Sequence, residues 1–171
     1  SELNPASVEI INKESQSGIL LICDHASNEI PVGYNNLGLA PELLQRHIGY
    51  DIGAADVTRA LSAQLRCTAI LSCYSRLFID INRQAGDPSW IPMVSDNIPV
   101  PGNCGLPMEE ISYRKAAYYD PYHGAVSAMV DCYLRKDIVP AIFSIHSFTP
   151  TMDGFDRPWH IGILWDTDAR L

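Results

Sequence analysis

Basic residues are scarce: 12 Lys and Arg against 20 Asp and Glu leave a formal net charge of -8. A chain without a basic stripe is poorly suited to neutralise a phosphate backbone, which argues against DNA and RNA as partners. No run approaches the roughly 18 apolar residues of a membrane span, and the opening SELNPASVEI has neither the basic start nor the apolar centre of a secretory signal. A cytoplasmic protein with no membrane partner is expected. The five cysteines, at 23, 67, 73, 104 and 132, are odd in number and form no CxxC pair, which fits reduced thiols better than a disulfide framework. Cys23, close to His25, admits a catalytic-thiol reading, but a small core residue is the plainer one. There is no GxSxG elbow, no GxxxxGK[ST] and no GxGxxG after a strand, so serine-hydrolase and nucleotide-binding chemistry lack support. Ser147 beside His146 points to the opposite face of a strand and is expected to be a local hydrogen-bonding group.

What is present is an ordinary globular composition, 47% hydrophobic and 19% charged over 171 residues, enough for one domain with one substantial core. No repeat or linker interrupts it, and strand-like and helix-like segments alternate as in an α/β domain. Residues 18–25 read as a buried strand and 28–39 as loop, with a helix from Pro41. Asp51 is expected to open a second helix through Leu65, with Ala54, Val57, Leu61 and Leu65 on its buried face. Residues 68–74 and 77–81 read as strands. The five prolines and three glycines between 84 and 107 predict a long irregular loop, of a length usually functional or mobile. Asp120 and Pro121 fit the cap and first position of a helix with Ala125, Met129, Cys132 and Tyr133 on its apolar face. A strand ending at His146 follows, then a last one from Ile161, with Thr167 and Asp168 placed to cap a further helix.

Three apolar runs end in reactive polar residues: ILLICDH at His25, RLFIDINR at Asn82 and Arg83, and AIFSIHS at His146. In an open parallel sheet such ends share the edge at which ligands bind. Tyr122 and His123, at the amino end of the helix preceding the His146 strand, belong at that edge too. A hydrolytic zinc centre needs neutral imidazole or carboxylate ligands, an open position for water, and outer acceptors that fix each imidazole's tautomer. His25 and His146 supply nitrogens; the third ligand is Glu29 or Asp51, and spacing does not choose. Asp24 suits an outer acceptor. For either histidine alone a backbone hydrogen bond would be the simpler explanation; two at corresponding strand ends favour a metal. Asn82 and Arg83 offer an amide and a guanidinium fork that suit a carboxylate, with Arg76 as a second contact, unless they only form a salt bridge to Asp80 or Asp51. Arg114, Arg157 and His160 are weaker candidates for that clamp.

Through CDHASNEIP (23 to 31), RHIGYDIGA (46 to 54), SRLFIDINR (75 to 83), DPYHGA (120 to 125), SIHSFTP (144 to 150) and RPWHIGILWD (157 to 166), the chain resembles the N-formylglutamate amidohydrolase family nearly end to end. That family is similar to zinc carboxypeptidases and aspartoacylases. The resemblance implies an α/β three-layer sandwich with a mostly parallel central sheet, hydrolase-like in the zinc carboxypeptidase manner. It also implies one Zn²⁺ held by His25, Glu29 and His146, with Arg76, Asn82, Arg83 and His123 binding substrate. In those relatives two residues separate the first histidine from the glutamate, whereas here Asn28 takes that place and Glu29 follows, so Asp51 is the reserve ligand. Glu29 and Asp51 are the carboxylates expected to act in catalysis. Family members continue to a further strand bearing a glutamate that resembles the carboxypeptidase general base. Residues 1–171 are thus expected to form a single catalytic domain that is the amino-terminal portion of a longer one; otherwise Glu29, Asp51 or Asp153 serves. The implied reaction, a step of histidine degradation, releases formate from N-formylglutamate or a similar small acidic N-acyl amino acid. A peptidase or deacylase for another acidic N-acyl substrate is one alternative, and a metal-free anion-binding protein is another.

Overall fold

A computed structural model describes residues 7–152 and 154–165. Its centre is a four-stranded mixed sheet in the order β1 (Val8–Ile11), β3 (Thr68–Ser72), β2 (Ile19–Cys23), β6 (Ala141–Ser144). β2 runs parallel to both β3 and β6, with Leu21 opposite Ala69 and Phe143, while β1 is antiparallel to β3. The apolar run of β2 follows from burial on both faces. Period-two alternation sends Leu20, with Ile70 of β3, against Met129 and Tyr133 of α4 (Asp120–Leu134). Leu21 and Cys23, with Ala69 and Leu71, pack against Ala54 of α2 (Ala54–Leu65). β1 was not among the expected strands.

The order of connection fixes where a ligand can enter. From β2 the chain passes through α2 to β3 on one side, then through α4 to β6 on the other. Crossovers in opposite directions but of one hand put their helices on opposite faces, as α2 and α4 are here. Between β2 and β6 the order reverses, and the crevice beyond the carboxyl ends of such neighbours is left uncovered. His25 and His146 follow those two ends.

Several expectations need correction. α2 starts at Ala54, after Gly53 in the left-handed region (φ 81°), rather than at Asp51. Its buried ridge is Ala54, Thr58 and Ser62, while Val57 and Leu65 are about half exposed. The small residues let the helix approach the sheet closely, and their hydroxyls are satisfied by the Ala54 and Cys67 carbonyls at 2.8 and 2.7 Å. Residues 77–81 are buried but form successive turns, not a strand. Leu77, Phe78 and Ile79 are apolar because they enter a second cluster with Leu37, Ile48, Trp90, Val100 and Tyr118. The long loop is packed too: Asn103 is buried and donates to the Leu77 and Pro92 carbonyls. It carries a short hairpin, β4 (Val94–Ser95) and β5 (Ile98–Pro99), turning on Asp96 and Asn97, both with positive φ.

Asp120 is not a cap. Helix α3 (Met108–Arg114) continues through a widened π turn, 115–119, directly into α4, and Asp120 pairs with Lys115 at 2.6 Å. Pro121 has no N–H to give to the preceding turn, and the distortion lies immediately upstream of it. A short helix α1 (Pro41–Leu44) forms as expected, and among the described residues after β6 only the hairpin β7 (Thr151–Met152) and β8 (Phe155–Asp156) is regular. Residues 161–165 form no strand, and Ile161 and Leu164 are 82% and 93% exposed. Apolar character alone does not make a strand without a neighbour to take its backbone hydrogen bonds. Thr167, Asp168 and Asp153 lie outside the described residues. No helix among those described is long and apolar enough to cross a membrane.

The described cysteines are free, with Cys23 and Cys67 buried and Cys104 exposed. Burial pushes the Cys23 thiol up to about 11, which removes the catalytic-thiol reading. Its thiolate population at pH 8 is roughly a hundredfold or more below that of a thiol of ordinary pKa. Iodoacetamide should therefore label Cys104 first and leave Cys23 unmodified in the folded protein; peptide mapping that finds Cys23 labelled early would contradict the burial.

Candidate metal centre

Three aspartates, two histidines and one arginine meet at the ends of β2 and β6. His25, 2% exposed, follows β2, and its Nε2 lies 2.7 Å from Asp80 Oδ1. Its Nδ1 faces Asp51 Oδ1 at 3.4 Å, in ion-pair range, but makes no hydrogen bond. On the other side of the same carboxylate, Asp51 Oδ2 is 2.8 Å from His146 Nδ1 and accepts from the Ser147 backbone N–H at 3.3 Å. The two imidazoles stand edge to face, 5.2 Å between centroids. His25, Asp51 and His146 each offer a ligand atom within 4.8 Å of the others. Asp51 reaches this position from a loop whose backbone N–H bonds the His25 carbonyl at 2.9 Å, so the residue expected to open a helix is turned into the crevice.

Outer contacts hold these groups. Arg76 donates to Asp80 Oδ2 at 3.0 Å and lies 3.6 Å from Asp51 Oδ1, and the Asn82 backbone N–H donates to Asp80 Oδ1. Asp24 faces away from its neighbour His25: it accepts from the Tyr122 hydroxyl at 2.6 Å and from Ser144 Oγ at 3.2 Å, and lies 3.5 Å from His146 Nε2.

Electrostatics follow from this crowding. Three carboxylates and one guanidinium sum to -2 when both imidazoles are neutral. The carboxylates of Asp24 and Asp51 accordingly raise the His146 pKa to about 9. Burial alone would lower that of His25, but Asp51 and Asp80 outweigh it and the net shift is upward. Burial likewise works to raise the pKa of all three aspartates, and the histidines win: His146 and Tyr122 lower that of Asp24, His146 and His25 lower that of Asp51, and His25 lowers that of Asp80. The upward shifts of both imidazoles register the same excess of negative charge that a single divalent cation would balance. The unbonded, buried Nδ1 of His25 is the orphan that such a cation satisfies, and a mixed nitrogen and oxygen donor set suits zinc.

The other expected residues divide. Glu29 is exposed and lies outside the three-residue cluster; its backbone carbonyl accepts from the Ser75 N–H. Asn82 and Arg83 are exposed, and the Arg83 guanidinium contacts Ser89 Oγ and the Asn82 carbonyl rather than an aspartate. His123 and Tyr119 pin this stretch through the carbonyls of Ile81 and Arg83, at 3.0 and 2.8 Å. Arg114 is 1% exposed inside the second cluster and cannot serve an anion clamp. Arg157 lies over Phe148, and His160 is exposed. Sequence reasoning gave Asp80 no part in orienting a ligand and Tyr122 only a place; the Asp two residues ahead of Asn-Arg was the one available sign.

The family model described as N-formylglutamate amidohydrolase matches residues 17–171. Among solved structures, a gene product of Agrobacterium tumefaciens matches at 36% identity and a TM-score of 0.95, over 99% of this chain and 68% of that one. The N-formylglutamate amidohydrolase of Ralstonia eutropha JMP134 matches at 21% identity and a TM-score of 0.61, over 84% of this chain and 57% of that one, a likeness of fold. No curated protein matches.

Proposed function

Because the chain belongs to the N-formylglutamate amidohydrolase family, we propose that it is a zinc-dependent hydrolase that splits the N-formyl, or another N-acyl, amide of glutamate or a related acidic amino acid. The observation that carries this reading is the buried, unbonded Nδ1 of His25 directed at a carboxylate that His146 shares. Zinc held by His25, Asp51 and His146 would supply Lewis acidity toward the acyl oxygen and make a water acidic near neutral pH.

The chain's own residues do the rest. Asp80 fixes the His25 ring, and Arg76 donates to Asp80 and lies in ion-pair range of Asp51, bracing both carboxylates in place. Arg83 is held by neutral acceptors only, so a substrate carboxylate is the stronger partner for its guanidinium; Asn82 and His123 flank it, and Arg76 offers a second charge. Water adds to the acyl carbon, the C–N bond breaks, and the proton passes to the leaving amine, giving formate and the free amino acid. Asp24, Asp51 and Asp80 are engaged with histidines, which leaves Glu29, among the described residues named for that role, as the candidate proton carrier. The reading also takes residues 1–171 as the amino-terminal portion of a longer catalytic domain of zinc carboxypeptidase-like layering. Helices on both sheet faces and the 68% and 57% spans of the solved chains support it.

Formate release from N-formylglutamate by the zinc-loaded protein tests the proposal, beside N-acetylglutamate and N-formylleucine. Turnover confined to the acidic substrates is expected, abolished by His146→Ala and lowered about 100-fold or more by Glu29→Gln with zinc affinity unchanged. Equal turnover in His146→Ala would remove the metal mechanism.

A further inference from the structure

Tyr122 lies on α4, packed with Leu20 and Ile70 against the sheet, and is 1% exposed, yet its hydroxyl does not stay within the helix packing. It donates to Asp24 Oδ1 at 2.6 Å. The other oxygen of that carboxylate accepts from Ser144 Oγ at 3.2 Å, and Ser144 Oγ in turn lies 3.0 Å from His146 Nε2. Asp24 Oδ2 is itself 3.5 Å from that nitrogen. A carboxylate can only accept, and Ser144 has one proton to give. With that proton on Asp24, Ser144 accepts from His146, so the imidazole carries a proton on Nε2, separate from the one that Nδ1 gives to Asp51 Oδ2 where a cation would otherwise sit.

We infer that Tyr122, Asp24 and Ser144 form a positioning relay that fixes the Nε2–H tautomer of His146 and so presents its Nδ1 lone pair to the cation. The inference rests on the metal reading proposed above. The need for such a device is visible in the burial: the His146 side chain is 33% exposed, against 3% for His25, and its backbone lies two residues beyond the end of β6. His25 is immobilised by its surroundings and by Asp80. His146 lacks that packing and is instead tied through Ser144 and Asp24 to Tyr122 of α4. Asp24 is the residue that makes this possible, because successive side chains near a strand end face opposite ways: His25 turns to Asp51 and Asp80, Asp24 to Tyr122. The three are positioning residues, since none of them reaches the reacting atoms.

The experiment compares Tyr122→Phe, Ser144→Ala and the control Tyr133→Phe in the full chain. Zn²⁺ affinity is measured by competition with a chromophoric chelator, and the visible bands are recorded after loading with Co²⁺. Tyr133 sits on the same helix, is equally buried, and its hydroxyl bonds Thr68 and the Ile19 carbonyl, away from the crevice. Tyr122→Phe and Ser144→Ala should each weaken zinc binding about tenfold or more and alter the cobalt spectrum, while Tyr133→Phe lowers Tm and leaves both metal readouts unchanged. Wild-type affinity and spectrum in Tyr122→Phe and Ser144→Ala would overturn the relay with the metal site intact. An equal loss of affinity in Tyr133→Phe would overturn it as well, by showing general destabilisation. A wild-type protein that binds neither Zn²⁺ nor Co²⁺ would instead sink the metal reading on which the relay rests. If Tyr122→Phe does not fold by circular dichroism, Ser144→Ala, at the exposed end of β6, decides alone.

Discussion

Asparagine in place of Asp51 is expected to lower zinc affinity by at least about a hundredfold, beyond the 10–100-fold range typical of losing an outer hydrogen-bond partner. The substitution keeps size and shape but removes the charge that both histidines share, with Asp51 Oδ2 at 2.8 Å from His146 and Oδ1 at 3.4 Å from His25. It should also change the pH response of the metal-free protein. The His146 pKa is raised to about 9, above its unfolded value near 6.5. The stability it contributes is therefore fully present below pH 6.5 and lost as the pH rises through 9. Asp51 has the opposite sign: its pKa is lowered, so its contribution is present above the ordinary aspartate value near 3.9 and lost only in stronger acid. In Asp51→Asn the His146 titration should move down toward 6.5, held up only by Asp24, and alkaline destabilisation should begin at lower pH. Imidazole NMR titration and urea unfolding from pH 6 to 10, both in chelator, measure this. An unmoved His146 titration would show that Asp51 is not its principal partner after Asp24.

Leucine at Arg114 should cost about 3 kcal/mol of folding stability, the scale for removing one member of a buried ion pair. The guanidinium donates to the Phe78 carbonyl at 3.0 Å, to Asn103 Oδ1 at 2.8 Å and to Glu110 at 2.7 Å. It also stacks over Phe78, 4.2 Å from the ring centre. Leucine fills part of the volume but leaves the Phe78 carbonyl and Asn103 without a donor in a place water does not reach. Arg46→Leu, which breaks an exposed contact with Asp96, should cost less than about 1 kcal/mol. The comparison is read from urea midpoints at constant m-value; equal midpoints for the two variants would mean that the Arg114 network contributes nothing.

The strand ends were legible because their chemistry is local. ILLICDH and AIFSIHS show apolar runs that stop at a histidine, and once two such strands are parallel neighbours their ends must meet. Asp51 was legible only as one of two candidates. Its place beside the two histidines, where Glu29 does not reach, depends on a loop that returns to bond the His25 carbonyl, a contact over 26 positions with no sequence pattern. RLFIDINR was misread as a strand because burial by a cluster and burial by a sheet select the same apolar residues. Asp120 and Pro121 were misread as a helix start because a π turn carries the preceding helix through them.

By itself the sequence determined the α/β alternation, the two histidines at strand ends, the acidic balance and the family, since each depends on residue type and short-range order along the chain. Only the tertiary structure decided that Asp51 bridges the histidines, that Asp80 and Asp24 hold one ring each, and that Arg114 belongs to the core rather than to a substrate. Those assignments rest on distances between residues up to 120 positions apart, set by how β2, β6 and α4 pack, and no local rule encodes a distance across a fold.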